Sequence, residues 1–309
     1  MDHEHEGVPQ RPPAYAHLLI DSKDRDPNAD KPPYPIITTP ANNFLIDRNQ
    51  ALLYGYLTRL AITQLQFNWR LPTVMTGINN VFIIAKVAPA PAVGVVQLTQ
   101  GYYNPTTLAA EIETQLQGVA GFATYTCVYD ANLGGFQFSS NNGDTFSFVP
   151  LDIVIVQYPL LAKAISRTYR LLGLSSGNID VLSAATVQIT GTPNMLYTDY
   201  VDICSRNLTK YQRVKDIDTA GTNTKSFIIA RLYLCPTNQR NLYSDTDAPG
   251  ALPFDICVDY NTPKHIRWSP QEAVNQIDLQ VYDEFGELLP WDVNNYNWDF
   301  QLTLVASET

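Results

Sequence analysis

The sequence predicts a mainly all-β protein: a jelly-roll β-sandwich carrying a small insertion made of one helix and an antiparallel meander. Three observations predict it. From Asn43 onward, short apolar or alternating runs follow one another, separated by Pro, Gly and Asn. Two late segments alternate strictly, Ile277, Leu279 and Val281 with Asp278 and Gln280, and Trp298, Phe300, Leu302 and Leu304 with Asp299, Gln301 and Thr303. A period of two marks strands with one buried face. Helical periodicity is confined to two stretches. Many short strands with turn signals and little helix belong to sandwiches and jelly rolls.

Taken in order, residues 1–40 read as an extended arm. Pro9, Pro12, Pro13, Pro27, Pro32, Pro33, Pro35 and Pro40 stiffen it, because each fixes its own φ and disfavours helix at the preceding residue. Only Ala16 to Ile20 reads as ordered within it. Asn43 to Ile46 is the first core strand. Leu57 to Trp69 is a longer one, with Leu60, Ile62, Leu65 and Phe67 as its apolar members. Val81 to Ile84 and Val93 to Leu98 follow. Asn104-Pro105 places a capping residue before a proline, and Leu108, Ile112 and Leu116 form one stripe of a helix that Gly118 ends. Glu111 and Glu113, two residues apart on that helix, do not face each other and read as solvated surface. Tyr125 to Tyr129, Gly135 to Ser139 and Phe146 to Phe148 form the meander, joined at Asp130–Gly134 and Asn141–Asp144. Leu160 to Leu174 reads as a second short helix stopping at Gly173. Thr186 to Ile189, Met195 to Cys204, Phe227 to Cys235 and His265 to Trp268 precede the two alternating strands. The division expected is thus an arm at 1–40, a sandwich from 41–99 and 185–309, and an inserted helix–meander domain at 100–184.

Composition narrows function. Of 309 residues, 45% are hydrophobic and 16% charged, against a typical charged share of ~25%. Such a chain can bury a large core and leave an outer surface low in charge, as faces covered by neighbouring subunits are. Twenty basic residues stand against 30 acidic, a net charge of −10, and no basic stripe offers a phosphate footprint. Direct nucleic-acid binding is therefore not expected. Cys127, Cys204, Cys235 and Cys257 form no CxxC pair and sit in apolar runs, so buried free thiols in a reducing compartment are expected. The acidic start Met1 to Glu6 predicts no secretory signal, and no apolar run reaches the ~20 residues that span a bilayer.

Catalytic and cofactor motifs are not found. There is no GxxxxGK[ST], GxGxxG or GxSxG pattern. His17 lies in the arm, and His265 reads as the start of a strand. His3 and His5 could chelate a metal only weakly. Asp21, Asp24 and Asp26 lack the Gly and Glu that close a calcium loop. Asn207-Leu208-Thr209 is a sequon without a secretory context. Eighteen tyrosines and four tryptophans could stack on glycans, yet most lie in strand-like runs where core or interface use is expected. No catalytic residue, cofactor or metal is expected.

Several ordered features resemble the penton and minor capsid proteins of virophages and polinton-like viruses, with relatives in large eukaryotic DNA viruses. They are Ile20-Asp21-Ser22-Lys23-Asp24-Arg25-Asp26 and then Asn43-Phe44; the long strand ending at Trp69; Gln100-Gly101-Tyr102-Tyr103-Asn104-Pro105 before a helix; Tyr129-Asp130 to Phe138; Leu171-Leu172-Gly173-Leu174; Met195 to Leu208; and Asp283-Glu284-Phe285-Gly286 before the final strand. The resemblance implies a virion protein, assembled in host cytoplasm or nucleus. It would form a homopentamer that plugs the capsid vertex between double-jelly-roll major capsid proteins, with a host receptor as a further partner. A minor capsid or cement protein under the shell, a receptor- or glycan-binding β module, and an enzyme are the other classes. In this setting Asp21, Lys23, Asp24, Arg25 and Asp26 are the expected inter-subunit contacts, as ion pairs that specify register. Deleting residues 1–40 is then expected to leave the sandwich folded and to impair incorporation into capsids.

Overall fold

The alternation read from the two late segments is resolved into two facing sheets. The computed structural model describes residues 15–25, 39–47, 50–53, 55–88, 90–174, 185–189, 191–211, 227–234, 253–269 and 272–308. Asp26, Cys235, His3, His5 and most of the proline-rich stretch lie outside these residues. The chain divides into two units.

The first unit holds β1 (Tyr15–Asp21), β2 (Asn43–Asp47), β3 (Arg59–Trp69), β10 (Tyr200–Cys204), β11 (Ile228–Tyr233), β12 (Phe254–Asp259), β13 (His265–Arg267), β14 (Gln276–Tyr282) and β15 (Phe300–Ser307). One sheet has the order β1-β15-β3-β12, with β13 also on β3; the other has the order β11-β10-β14-β2. β12 covers Gln64 to Trp69 of β3 and β13 covers Arg59 to Ala61, so the two act as one interrupted strand. Counted that way the unit has eight strands, paired first with eighth, second with seventh, third with sixth and fourth with fifth. This nested antiparallel pairing is the winding of a jelly roll.

Burial follows the pleat. Ile20, Leu302, Leu304, Ala306, Leu65, Phe67 and Ile266 of one sheet, and Phe44, Ile46, Ile277, Leu279, Val281, Val201 and Ile203 of the other, are buried. Phe44 and Phe300 meet across the two sheets with ring centroids 5.9 Å apart, and Phe67 stacks on Phe300 at 6.1 Å. The apolar members of β3 change parity between Ile62 and Leu65. The ladder with β15 shifts at that point, from Leu304↔Ile62 to Thr303↔Gln64. A bulge at Thr63 thus keeps Leu60, Ile62, Leu65 and Phe67 all on the core side.

The second unit is built from Leu71–Tyr197. It contains β4 (Val81–Ala88), β5 (Ala92–Gln97), α1 (Pro105–Gly118), β6 (Tyr125–Asp130), β7 (Gly135–Ser140), β8 (Thr145–Phe148), α2 (Leu151–Gln157), α3 (Ala162–Leu171) and β9 (Thr186–Gln188). Asn104 caps α1 as expected: its Oδ1 accepts from Thr107 N at 2.7 Å, and Thr107 Oγ1 accepts from Asn104 N at 2.9 Å. Leu108, Ile112 and Leu116 are fully buried. The meander differs from expectation. β6 and β7 pair, but β8 pairs with β4 and β9 adds to β7. The sheets are β5-β4-β8 and β6-β7-β9, so residues 71–99 contribute strands to the inserted unit and not to the sandwich. Phe138 and Phe148 meet edge to face at 5.0 Å and join the two small sheets. Tyr169 of α3 donates to Val149 O at 2.7 Å, and Thr168 Oγ1 accepts from Val81 N at 3.1 Å. Gly173 has φ of 80°, and a Cβ there would lie 2.2 Å from Gly191 O. The Leu171–Leu174 element thus needs glycine at this position.

Two further expectations are corrected. Glu111 and Glu113 are not merely solvated: Glu111 accepts from Thr99 N at 2.8 Å and Glu113 from Cys127 N at 3.2 Å. They stitch α1 to the ends of β5 and β6. Cys127 and Cys204 are buried free thiols, but Cys257 is exposed, since it lies on the outward side of β12. Burial first, and then the charge of Glu113, push the Cys127 thiol far above its ordinary range. Alkylation of the folded protein in mildly alkaline buffer is therefore expected to label Cys257 promptly and spare Cys127 and Cys204 until denaturant is added. Peptide mapping by mass spectrometry checks this, and early labelling of Cys127 would contradict the burial.

Candidate docking site at the first strand

The segment Leu18 to Asp26 starts as an edge strand. β1 pairs with β15 along its full length, from Tyr15↔Ser307 to Asp21↔Gln301. Residues 15–21, expected in a free-standing arm, therefore belong to the sandwich, because β15 supplies the hydrogen bonds that an isolated extended segment lacks. Ile20 points into the core, while Tyr15 and Leu19 are exposed.

The strand stops at a 3-10 turn, Ser22–Arg25. The turn is closed locally: Asp21 Oδ1 accepts from Lys23 N at 2.8 Å, and Asp24 Oδ2 accepts from Asp21 N at 3.2 Å. It is closed globally through Asp299. Trp298 and Phe300 point into the core, so the residue between them points outward. Ser22 Oγ accepts from Phe300 N at 2.9 Å and donates to Asp299 Oδ1 at 3.1 Å. Arg25 Nη1 reaches Asp299 Oδ1 at 2.8 Å, and Arg25 Nε donates to Thr39 O at 2.8 Å. Nη1 also donates to Ser22 O. The guanidinium lies 5.7 Å from the Trp291 ring centroid. One planar fork thereby satisfies acceptors from three chain segments, a geometry that Lys cannot reproduce. The Arg25 side chain is 2% exposed and that of Asp299 30%.

The expected contact residues thus divide. Asp21, Asp24 and Arg25 are engaged within their own chain, Asp21 Oδ2 also accepting from Gln301 Nε2 at 2.6 Å. Lys23 is exposed. Asp26 lies outside the described residues. The residues that sequence reasoning missed are Ser22, Asp299 and Trp291. A signal was present only for Asp299, an acidic residue flanked by two buried aromatics.

The outward face of this sheet follows from the register. Across it run Leu19, Thr303, Gln64 and Asp259, and next to them Asp21, Gln301, Gln66 and Cys257. Its centre is uncharged, and its charges sit toward the rim, with Arg59 and Arg267 at one end and Asp255 and Asp259 on the outer strand. His17 and His265 occupy one row, His17–Val305–Ala61–His265. Three strand spacings separate them, roughly 14 Å, too far for a shared ligand or a proton relay. Among the described residues no three His, Cys, Asp or Glu side chains converge on a point that could hold a metal, and no helix is long and apolar enough to cross a membrane.

No protein-family model matches the chain, and no characterised protein matches it by sequence. Two solved structures are similar to it over nearly the whole length. The mavirus penton protein has a TM-score of 0.46 at 12% identity, covering 96% of this chain and 99% of that chain. The cryo-EM structure of the Sputnik virophage has a TM-score of 0.45 at 12% identity, covering 97% of this chain and 99% of that chain. The jelly-roll assignment rests on the strand pairing of this chain itself.

Removing Arg25 leaves Asp299 and two carbonyl groups without their shared donor. Arg25→Ala is expected to destabilise the protein by about 3 kcal/mol, the low end for breaking a buried pair because Asp299 keeps some solvent. Arg25→Lys should recover less than half of that. Urea unfolding measures both, and an unchanged midpoint in Arg25→Ala would remove the clasp from the account. Truncation separates arm from strand. Deleting residues 1–13 should leave the midpoint intact. Deleting 1–40, expected from the sequence to leave the sandwich folded, instead removes β1 and the Arg25–Asp299 contact and should lower the midpoint sharply.

Proposed function

We propose that this chain is a structural subunit of a DNA-virus capsid, forming a pentamer at the icosahedral vertex against double-jelly-roll major capsid proteins. The observation that carries this reading is the eight-strand nested pairing, interrupted between its third and fourth strands by a separate unit. Jelly rolls serve viral capsids among other roles, and the fold alone does not choose between them. The ordered resemblance of the sequence elements to virophage and polinton-like penton proteins favours the capsid.

The surface supports the same reading. A low charge content and an outer sheet face with Gln64, Gln66, Gln301 and Thr303 at its centre suit a face that a neighbour covers. With Arg25 held within the chain, docking by the first segment would fall to Tyr15, Leu19 and Lys23.

Full-length protein is expected to form five-fold rings in negative-stain images and a pentamer mass by light scattering, alone or with the major capsid protein. It should appear at the vertices in a reconstruction of the particle. Density beneath the shell and away from the vertices would instead make it a cement protein. Absence from purified particles would refute the capsid reading.

A further inference from the structure

We infer that β1 is a self-pairing edge: two copies of the chain join through it, antiparallel, about a two-fold axis at His17. Backbone alternation fixes which groups are open. Asn68 N donates to Asp299 O at 2.9 Å. The odd-numbered residues along β15 therefore turn their backbone groups toward β3, and Leu302, Leu304 and Ala306 turn theirs toward β1. Ile20, Leu18 and Ala16 stand opposite these three and answer them. Tyr15, His17, Leu19 and Asp21 thus turn their N–H and C=O groups away from the sheet. Asp21 N shows the direction directly, since it donates to Asp24 Oδ2 at 3.2 Å. Among the described residues nothing answers the outward groups of Tyr15, His17 and Leu19. The strand carries no proline, lysine or bulge, and a flat edge of this kind is a template for another strand. Two other edges of the first unit are blocked. On β11 the carbonyls of Ile228 and Arg231 accept from Lys264 Nζ and Tyr260 Oη, both at 2.9 Å. The far edge of the first sheet breaks between Asp259 and His265 and exposes Asp255 and Asp259, which a second copy would meet with like charge.

The occupant that fits β1 is β1 of a second copy. The Asp24 carboxylate on Asp21 N closes one end of the edge, so Tyr15, His17 and Leu19 are what remains open. The antiparallel register that engages all of them on both strands sets Tyr15 against Leu19 of the second copy and His17 against its own counterpart. Each opposed pair then exchanges both of its backbone bonds. On the outer face this register lays the ring of Tyr15 against the Leu19 side chain. Both are 64% exposed in the single chain, and aromatic–aliphatic pairs across strands are stabilising. On the inner face the half-buried Leu18 meets the half-buried Ala16, large against small. No Asp, Glu, Lys or Arg lies between Tyr15 and Ile20 to oppose the approach. A contact that uses the same patch on both copies closes at two. The inference does not rest on the capsid reading, because a two-fold contact doubles whatever species the chain otherwise forms.

The test is sedimentation velocity of the full-length protein over a range of concentrations, with hydrogen exchange read at residues 15–19. The wild type is expected to double in mass as concentration rises, and residues 15–19 to exchange more slowly in step with it. His17→Pro removes an N–H that points away from β15, so the ladder within the chain is kept. His17→Glu sets two carboxylates opposite each other at the axis. Each should weaken the doubling about tenfold. His17→Glu should also leave the thermal midpoint unchanged, and it decides the matter if the proline variant fails to fold. A wild type that does not double, or doubling that His17→Glu leaves intact, would overturn the inference. Slowed exchange at residues 15–19 that appears only when another protein is added would overturn it too, by giving the edge to a different partner. Five-fold rings, formed or absent, bear on the capsid reading alone.

Discussion

The first unit depends on β15 having a neighbour on both sides. It lies between β1 and β3, so the end of the chain is inserted between its beginning and its middle. The buried residues of β1, β15 and β3 are aligned by these two ladders. Phe300 sits against Phe67 because the register puts it there, and Phe44 of the opposite sheet closes over both. The bulge at Thr63 is a consequence of the same demand: without it, Leu65 and Phe67 would face solvent whenever Leu60 and Ile62 faced the core.

The polar clasp of Ser22, Arg25 and Asp299 completes this arrangement at the strand ends. Edge strands end where their hydrogen bonds run out, and the carbonyl groups left there need donors. Arg25 supplies donors to two of them and to a carboxylate at once. A motif that looks from its charges like an exposed contact is thus in large part internal: among its described residues, the exposed ones are Leu19 and Lys23.

Much of the sandwich was legible because one-sided burial writes itself as alternation. β14 and β15 are the clear cases, and Asn104-Pro105 declared the start of α1. β12 was missed although Phe254, Ile256 and Val258 alternate with the exposed Asp255, Cys257 and Asp259, because Ile256-Cys257-Val258 reads in the sequence as one short apolar run. α2 was not legible because Ile153, Ile155 and Val156 fill outward positions and erase the polar stripe that identifies a surface helix. The turn at Asn141–Asp144 is present, but not as the loop of a hairpin: turn chemistry does not say which strand receives the next one, and β8 goes to β4. The clasp was beyond local reading altogether, since Arg25 and Asp299 are 274 residues apart.

The same insertion of β15 sets a clock for the folding of the chain. A strand that pairs only with β15 has no partner until β15 has been made, and contacts of such long sequence separation form slowly. The stretch from Leu71 to Tyr197 has no such wait, because β4 to β9 find their partners among themselves. During synthesis the inserted unit therefore reaches its native pairing while the sandwich is still open chain. For that interval β1 and β3 present unpaired edges, which are prone to aggregate. The proline-rich composition around β1, with no long apolar run, then acts as protection in time as well as punctuation in space.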